Sequence, residues 1–377
     1  MTRQRWTAVV ASALFVGLAL IVLLVPVDFV ARSPGQAVDL TGEAADGGPV
    51  LALQGRQTYA SSGSWLLTTV DQTPVGERLH LLQAIVDYLL PSHEVLDRSD
   101  VYQDGTTAEA LAEGQAGALA TAKTYAIVAA LCELEPGPAS DRCPLVDEYV
   151  TVADITAGGP SDGKLQKGDR LLLVQDTPIM TRNQLVSLVR SSEAGANLSV
   201  TICCRANDAG ELVESTQSIT LAKSAELGLP TMGVTWEQHY DYGDALANVT
   251  FDLGPAVTGD GGGLALALAL YDQLVPEDLT GGQTVAAAGT LALTDQTPAS
   301  AGDAPAATVE AADGIRQQAV TAAEQGATLF LIPRANCPDV ADLNVGLRIV
   351  PVSTFTEAAR LLAGLADGAD VAAPACG

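Results

Sequence analysis

The 377-residue sequence predicts a mixed α/β (α+β) fold that follows an N-terminal transmembrane helix. Three observations support this prediction. An apolar run occupies residues 7–27, strand patterns separated by turns dominate residues 149–223, and strands alternate with helices over residues 224–377. With 48% hydrophobic residues, the chain can bury the cores of the two domains that its length suggests.

The N-terminal apolar run is long enough to cross a bilayer. At about 1.5 Å per residue, residues 7–27 span the roughly 30 Å hydrocarbon core. Arg3 and Arg5 precede the run and Asp28 closes it, so residues 1–6 are expected to form a cytoplasmic tail. The alternative is a cleaved signal peptide, which typically has a shorter apolar region and a small-x-small cleavage site. We therefore expect a single-pass cell-membrane protein whose bulk is extracytoplasmic.

The next segment predicts strands followed by helices that pack in a core. Residues 33–76 alternate strand patterns with turns, and residues 79–90 and 108–131 have helical apolar spacing. We assign residues 28–115 to the N-terminal strands and helix of a module, and residues 116–148 to a connecting helix and loop.

The segment 149–223 resembles a PDZ domain. A strand, the run GGPSDGKLQKGD, a second strand, a helix over residues 182–191 and two more strands follow one another in the family's order. PDZ domains bind extended peptides by adding a strand to a sheet edge. A G-L-G-F type carboxylate-binding loop is missing, and its usual location falls near the loop between Cys132 and Cys143. The resemblance therefore leaves two alternatives, a peptide-binding domain and a structural insert.

The C-terminal part, residues 224–377, alternates strands and helices around a low-complexity stretch at residues 294–314. Strands are predicted over residues 248–253, 283–293, 327–332 and 347–352, and helices over residues 264–274, 317–325 and 354–365.

Motifs in this part resemble the proteolytic domain of Lon-type serine peptidases, in the membrane-anchored bacterial branch that carries a PDZ domain. The matching stretches are GLALALALYD at residues 263–272, PEDLTGGQT at residues 276–284, residues 314–333, and Asn336-Cys337. The resemblance implies that the PDZ domain is inserted between two parts of one Lon-like module, residues 28–115 and 224–377.

Both catalytic positions of that family are substituted. The family's nucleophilic serine falls on Gly261, and its lysine falls on Gln318. Glycine has no nucleophile, glutamine is not a base near neutral pH, and no lysine follows Lys223. Thr258 is the nearest hydroxyl before Gly261, but it lacks a base. We therefore predict a degenerate, inactive Lon-like domain with no catalytic residue and a retained cleft shape.

The cysteines agree with an oxidising compartment, because all six lie beyond the apolar run. Cys132 and Cys143 flank a loop that contains proline and glycine, and Cys337 and Cys376 stand alone in the C-terminal half, so we predict a disulfide for each pair.

The remaining cysteines and the histidines do not predict a metal site. Cys203 and Cys204 are adjacent in a strand and should point to opposite faces as free buried thiols. No C-x-x-C or H-E-x-x-H occurs, and the three histidines are scattered: His80, His93 and His239. We expect neither a metal nor a cofactor.

Charge narrows the class of partner. The chain carries 45 acidic and 19 basic residues, a net charge of −26, which argues against nucleic acid. The function favoured by these observations is a membrane-anchored pseudoprotease that binds peptides or unfolded segments, or assembles with an active relative. The Lon resemblance implies a homo- or hetero-oligomeric ring. The alternatives are an active, ATP-independent serine endopeptidase and an envelope scaffold.

Overall fold

The computed structural model describes residues 3–135, 143, 145–206, 212–224, 228–243, 245–293, 307–366 and 376. The fold is mixed α+β, as predicted, and it divides into two compact units. Unit 1 combines Met1–Leu134, Asn248–Leu293 and Ala307–Gly377, whereas unit 2 holds Glu135–Ala247. Unit 1 is therefore built from chain segments on both sides of unit 2.

The first segment of unit 1 begins with a long helix and continues with strands. Its elements are α1 (Arg3–Leu24), β1 (Pro26–Val27), β2 (Phe29–Asp39), β3 (Leu51–Gln54), β4 (Ser64–Gln72), β5 (Leu79–His80), α2 (Leu81–Leu89), β6 (Glu94–Asp97), α3 (Arg98–Val101) and α4 (Ala108–Leu134). The predicted span 7–27 is helical only to Leu24, because Pro26 disfavours helical geometry in the residue before it. Pro26 and Val27 instead pair with β5.

The described residues of unit 2 form an antiparallel sheet and one helix of 10 residues. Its elements are β7 (Asp147–Ile155), β8 (Arg170–Val174), β9 (Thr177–Pro178), α5 (Arg182–Ser191), β10 (Asn197–Ala206), β11 (Leu212–Thr220), β12 (Ala222–Lys223), β13 (Pro230–Thr231) and β14 (Val234–Asp241). The strand order is β11-β10-β8-β7-β14, with β9 beside β8 and a separate β12–β13 pair. Thr181 and Gln184 form a capping box that starts α5.

The second segment of unit 1 completes its central sheet. Its elements are β15 (Asn248–Phe251), α6 (Gly263–Leu274), β16 (Thr284–Ala287), β17 (Thr290–Leu293), β18 (Ala307–Glu310), α7 (Ile315–Glu324), β19 (Leu329–Pro333), α8 (Cys337–Val340), β20 (Arg348–Val352) and α9 (Phe355–Ala366), with a 3₁₀ turn at Arg334–Asn336. The sheet order is β20-β19-β16-β4-β2-β6. The first four strands run parallel, and β2 and β6 are antiparallel to their neighbours.

The predicted strand 283–293 is split into β16 and β17 at Gly289. Its φ is 141°, and a Cβ there would lie 2.8 Å from Cγ1 of Val309 and 3.0 Å from Cγ of Pro333. Only glycine fits this bend. The bend turns the chain out of the central sheet, so β17 pairs with β18 instead.

Helix α4 is the one helix in the described part of the chain that is long and apolar enough to cross a membrane, judged by length and composition alone. Its C-terminal half is buried, with Ala126, Ala129 and Leu131 fully inaccessible, and it packs against α6. The C-terminal half of α4 is therefore part of the core of unit 1.

All six cysteines are engaged. Cys337 is bonded to Cys376 with a Cα–Cα distance of 5.1 Å, as expected from the sequence. Cys132 and Cys143 are also disulfide-bonded. Cys203 and Cys204, which the sequence predicts as free buried thiols, are instead joined to each other. Cys203 is only half-buried and Cys204 is exposed.

Candidate functional site

The first candidate region lies in unit 1, where a glycine-rich loop enters α6. Gly261 is part of this loop, and its carbonyl oxygen accepts a 2.7 Å hydrogen bond from the N–H of Gly289. The N–H of Leu264 donates in turn to the carbonyl oxygen of Gly289, at 3.1 Å. The loop is therefore held to the bend after β16, and α6 continues from it with its first eight residues buried.

There is room for a side chain at Gly261. A Cβ built there would lie 3.5 Å from the Cβ of Ala312, an ordinary van der Waals contact. Gly262 differs, because a Cβ there would lie 2.8 Å from Cδ1 of Leu67 on β4. A side chain is therefore compatible with Gly261, whereas at Gly262 it would require Leu67 to shift.

Gln318 is buried in the first turns of α7, and its amide is satisfied inside the protein. Its Oε1 accepts a 3.1 Å hydrogen bond from the hydroxyl of Thr68, and its Nε2 donates to the carbonyl oxygen of Asp313 at 3.0 Å. The side chain of Gln318 therefore links α7 to β4 and to the segment before α7. An amide in this position cannot take a proton from a nucleophile near neutral pH.

The two aligned positions adjoin the same short segment. Gly261 faces Ala312, and Gln318 is bonded to the next residue, Asp313. Asn336 fixes this segment, since its Oδ1 accepts from the N–H of Ala312 at 3.1 Å and its Nδ2 donates to the carbonyl oxygen of Ala312 at 3.0 Å. Thr258, the other hydroxyl that the sequence singled out, is exposed to solvent.

A buried carboxylate orders the far end of α6. Asp272 accepts hydrogen bonds from the hydroxyl of Ser61, from Nε1 of Trp65 at 2.9 Å and from the N–H of Leu279 at 2.7 Å. Each oxygen of Asp272 has a protein donor, so this carboxylate ties α6 to β4 and to the loop after the helix.

The second candidate region lies in unit 2, between α5 and the edge strand β14. Strand β14 pairs with β7 on one side, and no described strand pairs with its other side. Helix α5 lies against β13 and β14. The half-buried apolar side chains of Leu188 on α5 and of Val234 and Trp236 on β14 pack on the core of unit 2. We call this region, the edge of β14 beside α5, the groove.

A glycine turn and a glutamine mark the two ends of this groove. Gly233 has φ 66° just before β14, and its carbonyl oxygen accepts from the N–H of Thr156 at 2.9 Å. At the other end, Gln238 bonds to the chain that enters α5. Its Oε1 accepts from the N–H of Arg182 at 2.7 Å, and its Nε2 donates to the carbonyl oxygen of Met180 at 3.0 Å.

This groove differs from the sequence prediction in two ways. The domain boundary at Lys223 leaves out β14, which pairs with β7 from Val234 to Asp241 and belongs to the same sheet. The loop that precedes the edge strand lies near Gly233, and not near Cys132 and Cys143 as predicted. The alternation of VTWEQHY after the T-M-G turn was the available signal, since it is typical of a half-buried strand.

Two of the three histidines make side-chain contacts within the described residues. His93 Nδ1 lies 2.9 Å from the carboxylate of Asp87, and His239 stacks on Tyr149 with ring centroids 5.1 Å apart. Within the described residues, no group of three or more histidine, cysteine or acidic side chains could hold a metal ion.

Part of the chain is similar to solved domains of bacterial proteins. A PDZ domain of an SdrC-like protein from Listeria monocytogenes is 16% identical over 23% of this chain and 85% of that domain, with a TM-score of 0.20. A PDZ domain of an SdrC-like protein from Listeria innocua is 19% identical over 24% of this chain and 96% of that domain, with a TM-score of 0.21. A solution structure from Geobacillus thermodenitrificans is 28% identical over 23% of this chain and 94% of its own, with a TM-score of 0.20.

No family model matches the chain, and no curated protein matches it.

Proposed function

We propose that this chain is a membrane-anchored, extracytoplasmic binding protein. In this proposal, residues 7–27 form the anchor, unit 2 captures extended peptide or unfolded protein segments, and unit 1 is a Lon-like module without peptidase activity. The chain acts alone or assembled with an active relative.

The observation that carries the binding proposal is the groove between α5 and β14. An extended peptide that pairs with the open side of β14 would satisfy the free backbone groups of that edge. Alternate side chains of the peptide would then enter the apolar space over Leu188, Val234 and Trp236. Strand addition of this kind binds through the peptide backbone and reads sequence through every second side chain.

The ends of the groove limit the length of the peptide that can bind. The bonds from Gln238 to the chain at Met180 and Arg182 close one end, and the turn at Gly233 closes the other. A segment of about four or five residues fits between them at roughly 3.3 Å per residue. We expect apolar side chains at alternate positions of the ligand, because the described floor of the groove is apolar.

The absence of peptidase activity is proposed from the two aligned positions. Gly261 carries no hydroxyl, and the buried amide of Gln318 is committed to Thr68 and Asp313. A serine peptidase of the Ser-Lys type needs a hydroxyl and a neutral amine within about 3 Å of each other. Neither group is supplied by these residues.

The experiment is a peptide-array screen on the detergent-solubilised full chain, followed by affinity measurement on the best peptide. Leu188→Asp places a charge in the groove and should weaken binding at least about tenfold, that is by about 1.4 kcal/mol. Val213→Asp is the matched control, because Val213 is an exposed apolar residue on the opposite edge strand, β11.

The outcomes separate the three candidate functions. Weaker binding of Leu188→Asp with unchanged binding of Val213→Asp supports the groove. If no peptide binds, the peptide-binding proposal is contradicted and the function as an envelope scaffold is favoured. Labelling of the chain by a fluorophosphonate probe would support an active serine endopeptidase and contradict the proposed loss of catalysis.

A further inference from the structure

Helix α2 presents an apolar face to solvent. Leu82, Ile85, Val86, Tyr88 and Leu89 are between 40% and 78% exposed. Four of these residues follow the spacing i, i+3, i+4, i+7, which places them on one side of the helix. The opposite side packs on unit 1 through the buried Ala84 and Asp87. A contiguous exposed apolar face of this kind marks a binding surface.

The apolar face of α2 continues from the end of α1. The N–H of Leu81 donates a 2.9 Å hydrogen bond to the carbonyl oxygen of Val25, and Pro26 lies opposite His80 in the β1–β5 pair. The large apolar side chains of α1 are themselves exposed on the described part of that helix: Trp6, Val9, Val10, Leu14, Phe15, Val16, Leu18, Leu23 and Leu24. Whatever covers the end of α1 therefore lies beside α2.

The charge pattern of α2 favours lipid over an acidic or basic protein surface. Its only aspartate, glutamate, lysine, arginine or histidine is Asp87, which is buried and bonded to His93, although the whole chain has a net charge of −26. The exposed Tyr88 has the amphipathic ring that is enriched at the level of lipid headgroups. Arg78, just before β5, has a largely exposed side chain whose Nη1 lies 3.5 Å from Oδ1 of Asp28, and the solvent-exposed part of this guanidinium can also contact a phosphate.

We infer that α2 is a second membrane contact that lies in the interface of the bilayer. Its apolar face would enter the boundary between headgroups and acyl chains, beside the point where α1 leaves the membrane. This inference rests on the proposed anchoring by residues 7–27. The occupant of the apolar face is the bilayer itself, and two contacts would restrain unit 1 against rotation about a single anchor.

The test uses the full chain reconstituted in phosphatidylcholine vesicles and starts with carbonate extraction. Leu89→Trp, in a Trp6→Phe background, then reports depth by quenching with lipids brominated near the headgroup end of the acyl chain. Tyr88→Trp in the same background is an independent reporter. We expect quenching of both reporters at least about twofold greater than in the control, as for a helix buried in the interface.

The control is Glu324→Trp in the same background. Glu324 is exposed at the end of α7, shortly before β19. Leu329 of β19 pairs with Val285, which pairs in turn with Trp65 near the start of β4. Glu324 therefore lies near the end of the sheet where β4 begins. The start of β2 lies at the other end of the sheet, close to Gln72. A reporter at Glu324 should therefore lie far from the bilayer.

Each outcome is decisive for one of the two claims. Extraction of the chain by carbonate would overturn the anchoring, and with it the basis of this inference. Retention of the chain with no greater quenching of the two α2 reporters than of the control would overturn the interfacial contact and leave the anchoring intact. Reporters shielded from both brominated lipid and acrylamide would show a second copy or another protein on α2, which would also overturn it.

Discussion

The candidate regions of unit 1 and unit 2 differ in whether their polar groups have partners inside the protein. In unit 1, the buried amide of Gln318 has partners on both of its polar atoms, and the neighbouring segment at Ala312 is fixed by Asn336. In unit 2, the strand edge of β14 is unpaired among the described residues, and half-buried apolar side chains lie beside it. One region is satisfied internally, whereas the other offers backbone groups to an external chain.

The two regions therefore depend on different properties: Gln318 on the packing of its side chain, and the groove on exposed backbone groups. Gln318 is buried and both polar atoms of its side chain are hydrogen-bonded, so this position is occupied by an amide that has no base function. The groove keeps its capacity because strand pairing uses backbone groups that every residue supplies. Changes in unit 1 should therefore alter stability, and changes in the groove should alter binding.

The largest expected effect is on unit 1, from Asp272→Ala. Loss of this buried carboxylate leaves Nε1 of Trp65 and the N–H of Leu279 without their acceptor. We expect the free energy of unfolding to fall by about 3 to 5 kcal/mol, measured by urea denaturation of the full chain in detergent. Peptide affinity at the groove should be unchanged at urea concentrations below the midpoint of unfolding.

The control for this variant is Asp252→Ala, since the Asp252 side chain is exposed. A loss of peptide affinity in Asp272→Ala under conditions in which the protein is folded would break the comparison, because it would couple the two regions.

The next effect concerns the disulfide between Cys337 and Cys376. The bond closes a loop with a sequence separation of 39 residues, and half-buried Cys376 packs against a core cluster of unit 1. The double variant Cys337→Ser/Cys376→Ser should unfold with a free energy lower by about 2 to 4 kcal/mol. Identical unfolding curves for this variant and the parent protein would contradict a structural role for the bond.

A smaller effect is expected from pH at the loop after α6. Partial burial of Asp278 opposes its ionisation, but hydrogen bonds from Ser62 and Thr280 outweigh it and lower its pKa below the usual 3.8. Because the folded pKa lies below the unfolded one, Asp278 stabilises the protein above the unfolded pKa. This stabilisation disappears as pH falls through the folded pKa.

The contribution of Asp278 should be below about 1 kcal/mol, since the group is partly solvated. Asp278→Asn should make the loss of stability between about pH 5 and about pH 2 shallower than in the parent protein. Asp260→Asn, at an exposed carboxylate on the loop before α6, serves as the control. An equal change in the free energy of unfolding of both variants at every pH would contradict the contribution assigned to Asp278.

The smallest expected effect is the return of hydrolysis. Gly261→Ser with Gln318→Lys supplies the hydroxyl and the amine, and the space beside Ala312 accepts a side chain at residue 261. We expect casein cleavage only just above background, because the neighbouring backbone is arranged around glutamine. Gly261→Ala with Gln318→Lys lacks the hydroxyl and should show none. Cleavage by the parent protein that survives repurification and is lost in Thr258→Ala would contradict the proposal.

Local patterns in the sequence predicted many helices well. The prediction for α5 coincides with the structure at Arg182–Ser191, because a capping box starts the helix and its apolar spacing is regular. Helix α6 was predicted at residues 264–274 and is observed at Gly263–Leu274, since its apolar residues are nearly continuous. Signals of this kind lie within a few residues of the element that they predict.

Pairing between distant segments was harder to predict. Strand β14 has the alternation of a strand, but nothing local shows that it pairs with β7, about 80 residues earlier in the chain. The break at Gly289 depends on Val309 and Pro333, which arrive from later elements. The groove of unit 2 was missed for the same reason, because one of its walls follows the predicted domain end at Lys223.

The insertion of unit 2 between two segments of unit 1 has a consequence for folding during synthesis. Strand β4 pairs with β16, in a register that places Ser64 opposite Thr284. The central sheet therefore cannot form until the ribosome has synthesised residue 284. Such long-range parallel pairing is slow and leaves apolar strands exposed in the meantime. Unit 2 is nearly continuous in the chain, so it can complete its own sheet first, while Leu66 and Leu67 of β4 still lack their buried surroundings. We therefore expect the nascent first segment of unit 1 to be the part of this protein that most needs a chaperone during synthesis.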